Sequence, residues 1–320
     1  MDLIEVENLT KDYGHGRGVF DVDFGVREGE VFGFLGPNGA GKTTTIRHIM
    51  GFSRPQKGTA KVLGKSSWSS YYENQKDIGY LPGEIALPEN LTGTEFIQMM
   101  ADLRGMKDMT YTEGLIDRFE LEPRGGLKRM SLGIKRKLAV VTAFMHDPRI
   151  LVLDEPTSGL DPVMQETFIE FVQEEKARGK TILLSSHIFT EVDATCDRIA
   201  IIKDGRLVST FVADDLRHNE NKTFKIEFTD PEGLARFRDA VPQVEANEGA
   251  APGPDAIEGF GISSVKRHYN QAKVVANDAA VNDLIRTLTD YDLKFFSEVP
   301  FTLEDYFMKF YDREAEDATN

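Results

Sequence analysis

The chain has 320 residues, with 38 Lys plus Arg against 53 Asp plus Glu and a formal net charge of -15. That length accommodates roughly two domains of about 150 residues, and the acidic balance excludes the broad positive surface that nucleic-acid binding uses. Cys196 is the single cysteine, which rules out an intrachain disulfide and any paired-cysteine metal site, and the histidines fall in no metal-ligand spacing.

The opening MDLIEVENL carries acidic residues and lacks the basic and apolar regions of a secretory signal, so a cytoplasmic chain is expected. No apolar run approaches the roughly 18 residues of a membrane span. Residues 1–215 read as short apolar or β-branched runs alternating with longer periodic segments, the pattern of an α/β domain with a largely parallel sheet. Strands are expected at Val31–Leu35, Ile150–Leu153, Thr181–Leu184 and Arg198–Ile202, with Asp204-Gly205 as a tight hairpin turn. Between the first two of these, residues 84–146 carry helical periodicity and predict a helical insertion. Phe96, Met99, Met100 and Leu103 fall at helical spacing after a Thr94 cap, and Leu115, Ile116 and Phe119 follow.

Residues 216–320 form a second part of different character. A strand is expected over Thr223–Phe228, a helix over Pro231–Ala240 and a long loop over Glu245–Gly261, rich in Gly, Pro and Ala. A hairpin of Val265–Tyr269 and Ala272–Ala276 around Asn270-Gln271 comes next, then a helix over Ala279–Leu288 and a strand over Leu293–Val299. The order β, α, β, β, α, β is that of a small α+β, ferredoxin-like domain. A last amphipathic helix, Thr302–Tyr311, and an acidic tail close the chain.

The strongest chemical signal is Gly36-Pro37-Asn38-Gly39-Ala40-Gly41-Lys42-Thr43, which fits G-x-x-x-x-G-K-[ST] between a strand and a helix starting at Thr43. Its glycines let the backbone N–H groups turn inward as an anion nest at a helix N-terminus. Lys42 supplies a charge to the β and γ phosphates, and the Thr43 hydroxyl completes the coordination of Mg²⁺; the nucleotide-binding stretch runs on to Thr44. Downstream, Ile150-Leu151-Val152-Leu153 is followed by Asp154-Glu155, two carboxylates at the C-terminal end of a buried strand, where ligands of open α/β sheets gather. Such a pair is also what a helix cap looks like. Beside a phosphate loop it points to Asp154 as a metal ligand through water and to Glu155 as the group that orients or deprotonates an attacking water.

The block Asp154-Glu155-Pro156-Thr157-Ser158-Gly159-Leu160-Asp161-Pro162 resembles the Walker B and D-loop segment of ABC-transporter ATPase subunits. The resemblance implies a P-loop NTPase fold with ATP and Mg²⁺ as cofactors. Met130-Ser131-Leu132-Gly133-Ile134-Lys135 sits where that family has its LSGGQ signature, so Ser131 and Gly133, with Asp161, are implied to complete the ATP site of a second ATPase subunit in a head-to-tail dimer. His187 matches the family's switch histidine, and Tyr13 resembles the aromatic that stacks on adenine; from the residues alone, each also reads as an ordinary surface or edge residue. Two departures stand out. Gly83 occupies the place where the family usually has a glutamine, so that Glu84 or water fills the coordination or the contact is absent, and Leu132 and Ile134 replace the signature's glycine and glutamine.

Phe301-Thr302-Leu303-Glu304-Asp305-Tyr306-Phe307, with Gly83-Glu84 and the Ser131–Lys137 region, is similar to exporters of the ABC-2 or multidrug and antibiotic-resistance type. That resemblance implies a peripheral subunit at the cytoplasmic face of the membrane, driving efflux of drugs, lipids or other cargo through separate integral membrane permease subunits. The alternative is a soluble ABC ATPase acting on ribosomes or DNA, which the single cassette, the lack of heptads and the acidic charge disfavour.

Overall fold

The computed structural model describes residues 1–217, 221–244, 259–308 and 310. In chain order its elements are β1 (Asp2–Gly14), β2 (Arg17–Arg27), β3 (Val31–Leu35), α1 (Lys42–Ile49), β4 (Lys57–Val62), β5 (Lys65–Ser66), α2 (Tyr71–Asn74) and β6 (Ile78–Leu81). Three helices follow, α3 (Gly93–Arg104), α4 (Thr110–Arg118) and α5 (Leu132–Phe144), then β7 (Ile150–Asp154), α6 (Pro162–Ala177), β8 (Thr181–Ser186), α7 (Phe189–Thr195), β9 (Arg198–Lys203) and β10 (Arg206–Val212). The remainder is α8 (Ala213–Arg217), β11 (Asn221–Phe228), α9 (Pro231–Ala240), β12 (Phe260–Lys266), β13 (Gln271–Asn277), α10 (Val281–Leu288) and β14 (Leu293–Val299). The chain divides into two compact units, Met1–Phe211 and Val212–Asn320.

In the first unit a six-stranded sheet runs in the order β10-β9-β3-β8-β7-β6. Strands β3, β7 and β8 are buried along their whole length and pair in parallel, as near-continuous apolar runs do when both faces are covered. Their register matters for function. Leu35 lies opposite Ser186 and Asp154 opposite Ser185, so three strands end side by side and deliver their following loops to one edge. The turn at Asp204 and Gly205 has positive φ at both residues, 47° and 75°, the two-residue geometry that suits a right-twisted hairpin.

A second, four-stranded sheet, β2-β1-β4-β5, is antiparallel and was not legible as such among the runs read from the sequence. Val6, Leu9, Val22 and Val26 send their side chains into a core shared with Phe32, Phe34 and Ile46. Phe24 stacks on Phe32 with ring centroids 5.2 Å apart. This sheet therefore clamps α1 and the phosphate loop against the parallel sheet.

Helices α3, α4 and α5 fall within residues 84–146, and α3 differs in detail from the expectation. Thr92, not Thr94, caps α3: its side chain accepts from the Glu95 N–H while Glu95 accepts from the Thr92 N–H, a reciprocal capping box that outcompetes the later threonine. The buried face is Gly93, Phe96, Ile97 and Ala101, and Leu103, expected inside, is 75% exposed. Helix α1 begins at Lys42, one residue ahead of the expected start.

The second unit has the strand order β12-β13-β11-β14, with β13 pairing antiparallel to β11 and β12, and β11 antiparallel to β14. Together with the β11-α9-β12-β13-α10-β14 sequence, this is the ferredoxin-like arrangement. Alternate residues Phe224, Ile226, Phe228 and Ala272, Val274, Ala276 form one face of its core with Leu234 and Phe237 of α9 and Leu284 of α10. The hairpin differs from expectation: β12 starts at Phe260, inside the Gly-rich stretch, and a 3-10 turn at Arg267–Tyr269 leads to Asn270 in the left-handed region. Residues 245–258 of the expected loop, and 311–320 of the expected last helix and tail, lie outside the described residues. Within them, 303–308 are helical, with Thr302 and Asp305 exchanging cap hydrogen bonds.

Candidate functional site

The site begins with the crest between β3 and α1. Gly36 is buried, and a Cβ there would meet the Ile202 carbonyl at 2.4 Å; Gly41, at φ 111°, would meet Val19 at 2.7 Å. These two positions need glycine for close approach and for a left-handed turn. Asn38 and Gly39 lie exposed in the loop, and the first turn of α1 leaves N–H groups without helix partners, as every helix start does. Lys42, 4% exposed, donates to the Gly36 carbonyl at 2.7 Å and the Pro37 carbonyl at 3.1 Å.

Strand β7 brings the carboxylates, and β8 brings the serines and histidine beside them. Asp154 is buried; Thr43 Oγ1 donates to its Oδ2 at 2.8 Å, and the Ser185 hydroxyl donates to Oδ1. Burial and the Asp154 charge push the nearby Tyr80 phenol up to about 12, so that side chain stays neutral. Glu155 sits at φ 48°, a conformation costing a non-glycine residue about 1 kcal/mol, and its N–H is fixed to the Ser185 carbonyl at 2.9 Å. Its Oε1 lies 3.2 Å from Lys42 Nζ and 3.3 Å from His187 Nδ1. Lys42, Thr43, Asp154, Glu155 and His187 thus converge from three consecutive strand ends.

The other expected site residues occupy neighbouring positions. Tyr13, 54% exposed, stands by the β1–β2 turn, where Asp12 pairs with Gly18 and the Gly18 carbonyl lies beside Gly41. The Thr44 carbonyl bonds His48 Nδ1 at 2.7 Å. Ser131 caps α5, accepting from the Ile134 N–H at 3.3 Å, which leaves its own O–H free to donate. Asp161 caps α6 through the Met164 N–H at 3.1 Å. Gly133 packs against this second loop, since a Cβ there would come 3.2 Å from the Gly159 carbonyl. Gly83 lies against Asp154: a Cβ would stand 3.1 Å from Oδ2, while Glu84 is exposed.

Sequence reading missed Ser185, Glu191 and Arg136. Two adjacent serines ending an apolar strand were a usable signal for Ser185, because hydroxyls there need a polar partner. Glu191 is buried on α7 and accepts from the Ser186 hydroxyl at 2.5 Å. Burial pushes its carboxyl up to about 7 against the pull of the Ser186 and Thr157 hydroxyls and Arg136, with Glu155 adding to the rise. A raised acid favours the fold fully below its ordinary value near 4.5 and loses that contribution as pH climbs through 7. The expected cost of ionising it is about 3 kcal/mol above pH 7. Glu191→Gln, which cannot ionise, should therefore gain thermal stability relative to the parent as pH goes from 5 to 8. A Tm difference independent of pH would refute this assignment.

The family model described as ABC transporter matches residues 19–158, and one described as AAA domain, putative AbiEii toxin, Type IV TA system matches residues 126–193. An uncharacterized ABC transporter ATP-binding protein, YhcH of Bacillus subtilis, is 36% identical over 240 residues, 73% of this chain and 77% of that protein. This chain belongs to the ABC transporter ATP-binding proteins. The bacitracin transport ATP-binding protein BcrA of Bacillus licheniformis is 32% identical over 71% of this chain and 76% of its own length. A solved ATP-binding subunit of an ABC transporter superposes with a TM-score of 0.62 at 33% identity, covering 67% of this chain and 92% of that one. The protein is therefore an ATP-binding, ATP-hydrolysing ABC transporter subunit with a P-loop NTPase fold. No helix among the described residues is long and apolar enough to cross a membrane.

Proposed function

We propose that this ABC ATPase powers an exporter, pairing with a second ATPase chain, in the simplest case a second copy, and docking on separate permease subunits at the cytoplasmic face of the membrane. The observation that carries the catalytic reading is Glu155 Oε1 held between Lys42 and His187, next to the Thr43–Asp154 pair. Loop residues Gly36 to Thr44 wrap the phosphates, with Lys42 turning its ammonium from the Gly36 and Pro37 carbonyls to the phosphate oxygens. Thr43, Asp154 and the Ser185 hydroxyl form an all-oxygen donor set suited to a hard cation, so Thr43 and Asp154 would hold Mg²⁺. When bound, the ion neutralises charge on the β and γ phosphates.

Glu155 accepts the proton of the attacking water on a carboxylate oxygen, and His187 fixes the orientation of that carboxylate and of the γ-phosphate. Tyr13 stacks on the base. Ser131, Gly133 and Asp161 close over the nucleotide of the partner ATPase chain, the Ser131 O–H donating to its γ-phosphate. Export is supported by the transport names of relatives such as the bacitracin protein. The ribosome- or DNA-directed alternative finds no support in them. The test is purification of the tagged chain from detergent-solubilised native membranes, with mass spectrometry and ATPase assay of what accompanies it. A stoichiometric multi-span protein is expected; recovery only with ribosomes or DNA would overturn the reading.

A further inference from the structure

Arg136 lies on α5, one turn beyond Ser131, and is 2% exposed. Among the described residues its guanidinium hydrogen bonds go to main chain. Nε donates to the Ser158 carbonyl at 2.9 Å, one Nη to the Pro82 carbonyl at 2.9 Å and the other to the Gly83 carbonyl at 2.7 Å. Burying a charge in this way is costly unless it is fully hydrogen-bonded, and the planar fork lets one side chain satisfy two separate loops at once.

Both loops touch the reacting carboxylates. The Gly83 main chain lies against Asp154, as the 3.1 Å approach of a Cβ to Oδ2 demonstrates. Ser158 closes the turn that begins at Glu155, its N–H donating to the Glu155 carbonyl at 3.2 Å. Burial pulls the Arg136 guanidinium below its usual range, and the charges of Asp154, Glu155 and Glu191 work against that pull by favouring the cation. The guanidinium thus bridges the loop on one flank of the Asp154-Glu155 pair to the loop on the other.

We propose that Arg136 is a positioning residue for hydrolysis: its three main-chain bonds hold loops 82–83 and 155–158 in register around Asp154 and Glu155. This rests on the catalytic reading of Glu155 given above. Because Arg136 touches neither phosphate loop nor Lys42 among its hydrogen bonds, its loss should act on turnover rather than on nucleotide affinity.

The test compares Arg136→Lys and Gly83→Ala with the parent in the full chain. Lysine keeps the charge and loses the fork. Alanine at 83 presses on Asp154 from the loop side and leaves Arg136 in place. Each is expected to lower kcat for ATP by about 10- to 100-fold, as small misplacements of reacting groups do, with KM and the Kd for a fluorescent ATP analogue within about threefold of the parent. In the nucleotide-free chain, amide exchange in Arg136→Lys should quicken at residues 83–85 and 157–160 and not in α1. Parent-like kcat in a folded Arg136→Lys, or Kd rising in step with the fall in kcat, would overturn the proposal; should that variant fail to fold, Gly83→Ala with parent-like kcat would do so. Glu155→Gln run alongside separates the two levels: if it also hydrolyses ATP like the parent, the catalytic reading fails, whereas its inactivity beside an active Arg136→Lys removes only the role of Arg136.

Discussion

Replacing Glu155 by glutamine is expected to lower ATP hydrolysis by about 10²- to 10⁴-fold, the span a positioned general base contributes, and to leave ATP bound at least as tightly. The substitution keeps size and shape, so the turn held by the Glu155 N–H on the Ser185 carbonyl stays in place. What disappears is the oxygen that takes the water's proton and the negative charge now paired with Lys42 at 3.2 Å and His187 at 3.3 Å. With that charge gone, Lys42 has no competing anion and the γ-phosphate no carboxylate to repel it. ATP should therefore hold two chains together longer. Phosphate release measures the first effect, and light scattering with ATP the second. Turnover within about threefold of the parent would remove Glu155 as the base, since a loss of the magnitude cited for general bases would then be missing.

The parts of this molecule that were legible in the sequence are those where a local pattern decides the structure. The loop Gly36–Thr43 requires glycine at fixed places for steric reasons, and the apolar runs at 150–153 and 181–184 read as strands, which the fold extends to 154 and 186. Helix α9 spans Pro231–Ala240 as expected, and in the structure Asp230 caps it and Pro231 opens it. The antiparallel sheet was missed because β1 and β2 depend on pairing across register shifts, which no single run displays. Leu103 was misplaced on the same grounds: periodicity finds an apolar face, but only the packing of α3 decides that Ile97 and Ala101 go inside. Within the site, Lys42, Asp154, Glu155 and His187 carry chemistry in their side-chain type and so announce themselves. Arg136 bonds only backbone, and its partners, Pro82, Gly83 and Ser158, could be almost any residue. A main-chain contact leaves no mark on the partner's sequence.

Lys42→Ala is expected to act one step earlier than Glu155→Gln, at binding itself. A phosphate gripped by a buried ammonium gains a charge-assisted hydrogen bond worth about 1.5–3 kcal/mol, so ATP affinity should fall by roughly 10- to 150-fold, with the larger end expected because the N–H groups of α1 act on the same oxygens. Alanine also leaves the Gly36 and Pro37 carbonyls without the donor at 2.7 and 3.1 Å, and Glu155 without the Lys42 ammonium. An uncompensated carboxylate then stands beside the phosphate loop, and it repels the very ligand that the lost lysine attracted. The double variant Lys42→Ala with Glu155→Gln separates these two contributions: it should recover part of the lost affinity, by the share that came from repulsion, and none of the hydrolysis. Calorimetric titration of ATP into the parent, both single variants and the double variant reads the coupling directly. If Lys42→Ala binds ATP as the parent does, the ammonium packed on the loop is a structural tether for Gly36 and Pro37, and phosphate recognition rests on the backbone nest alone.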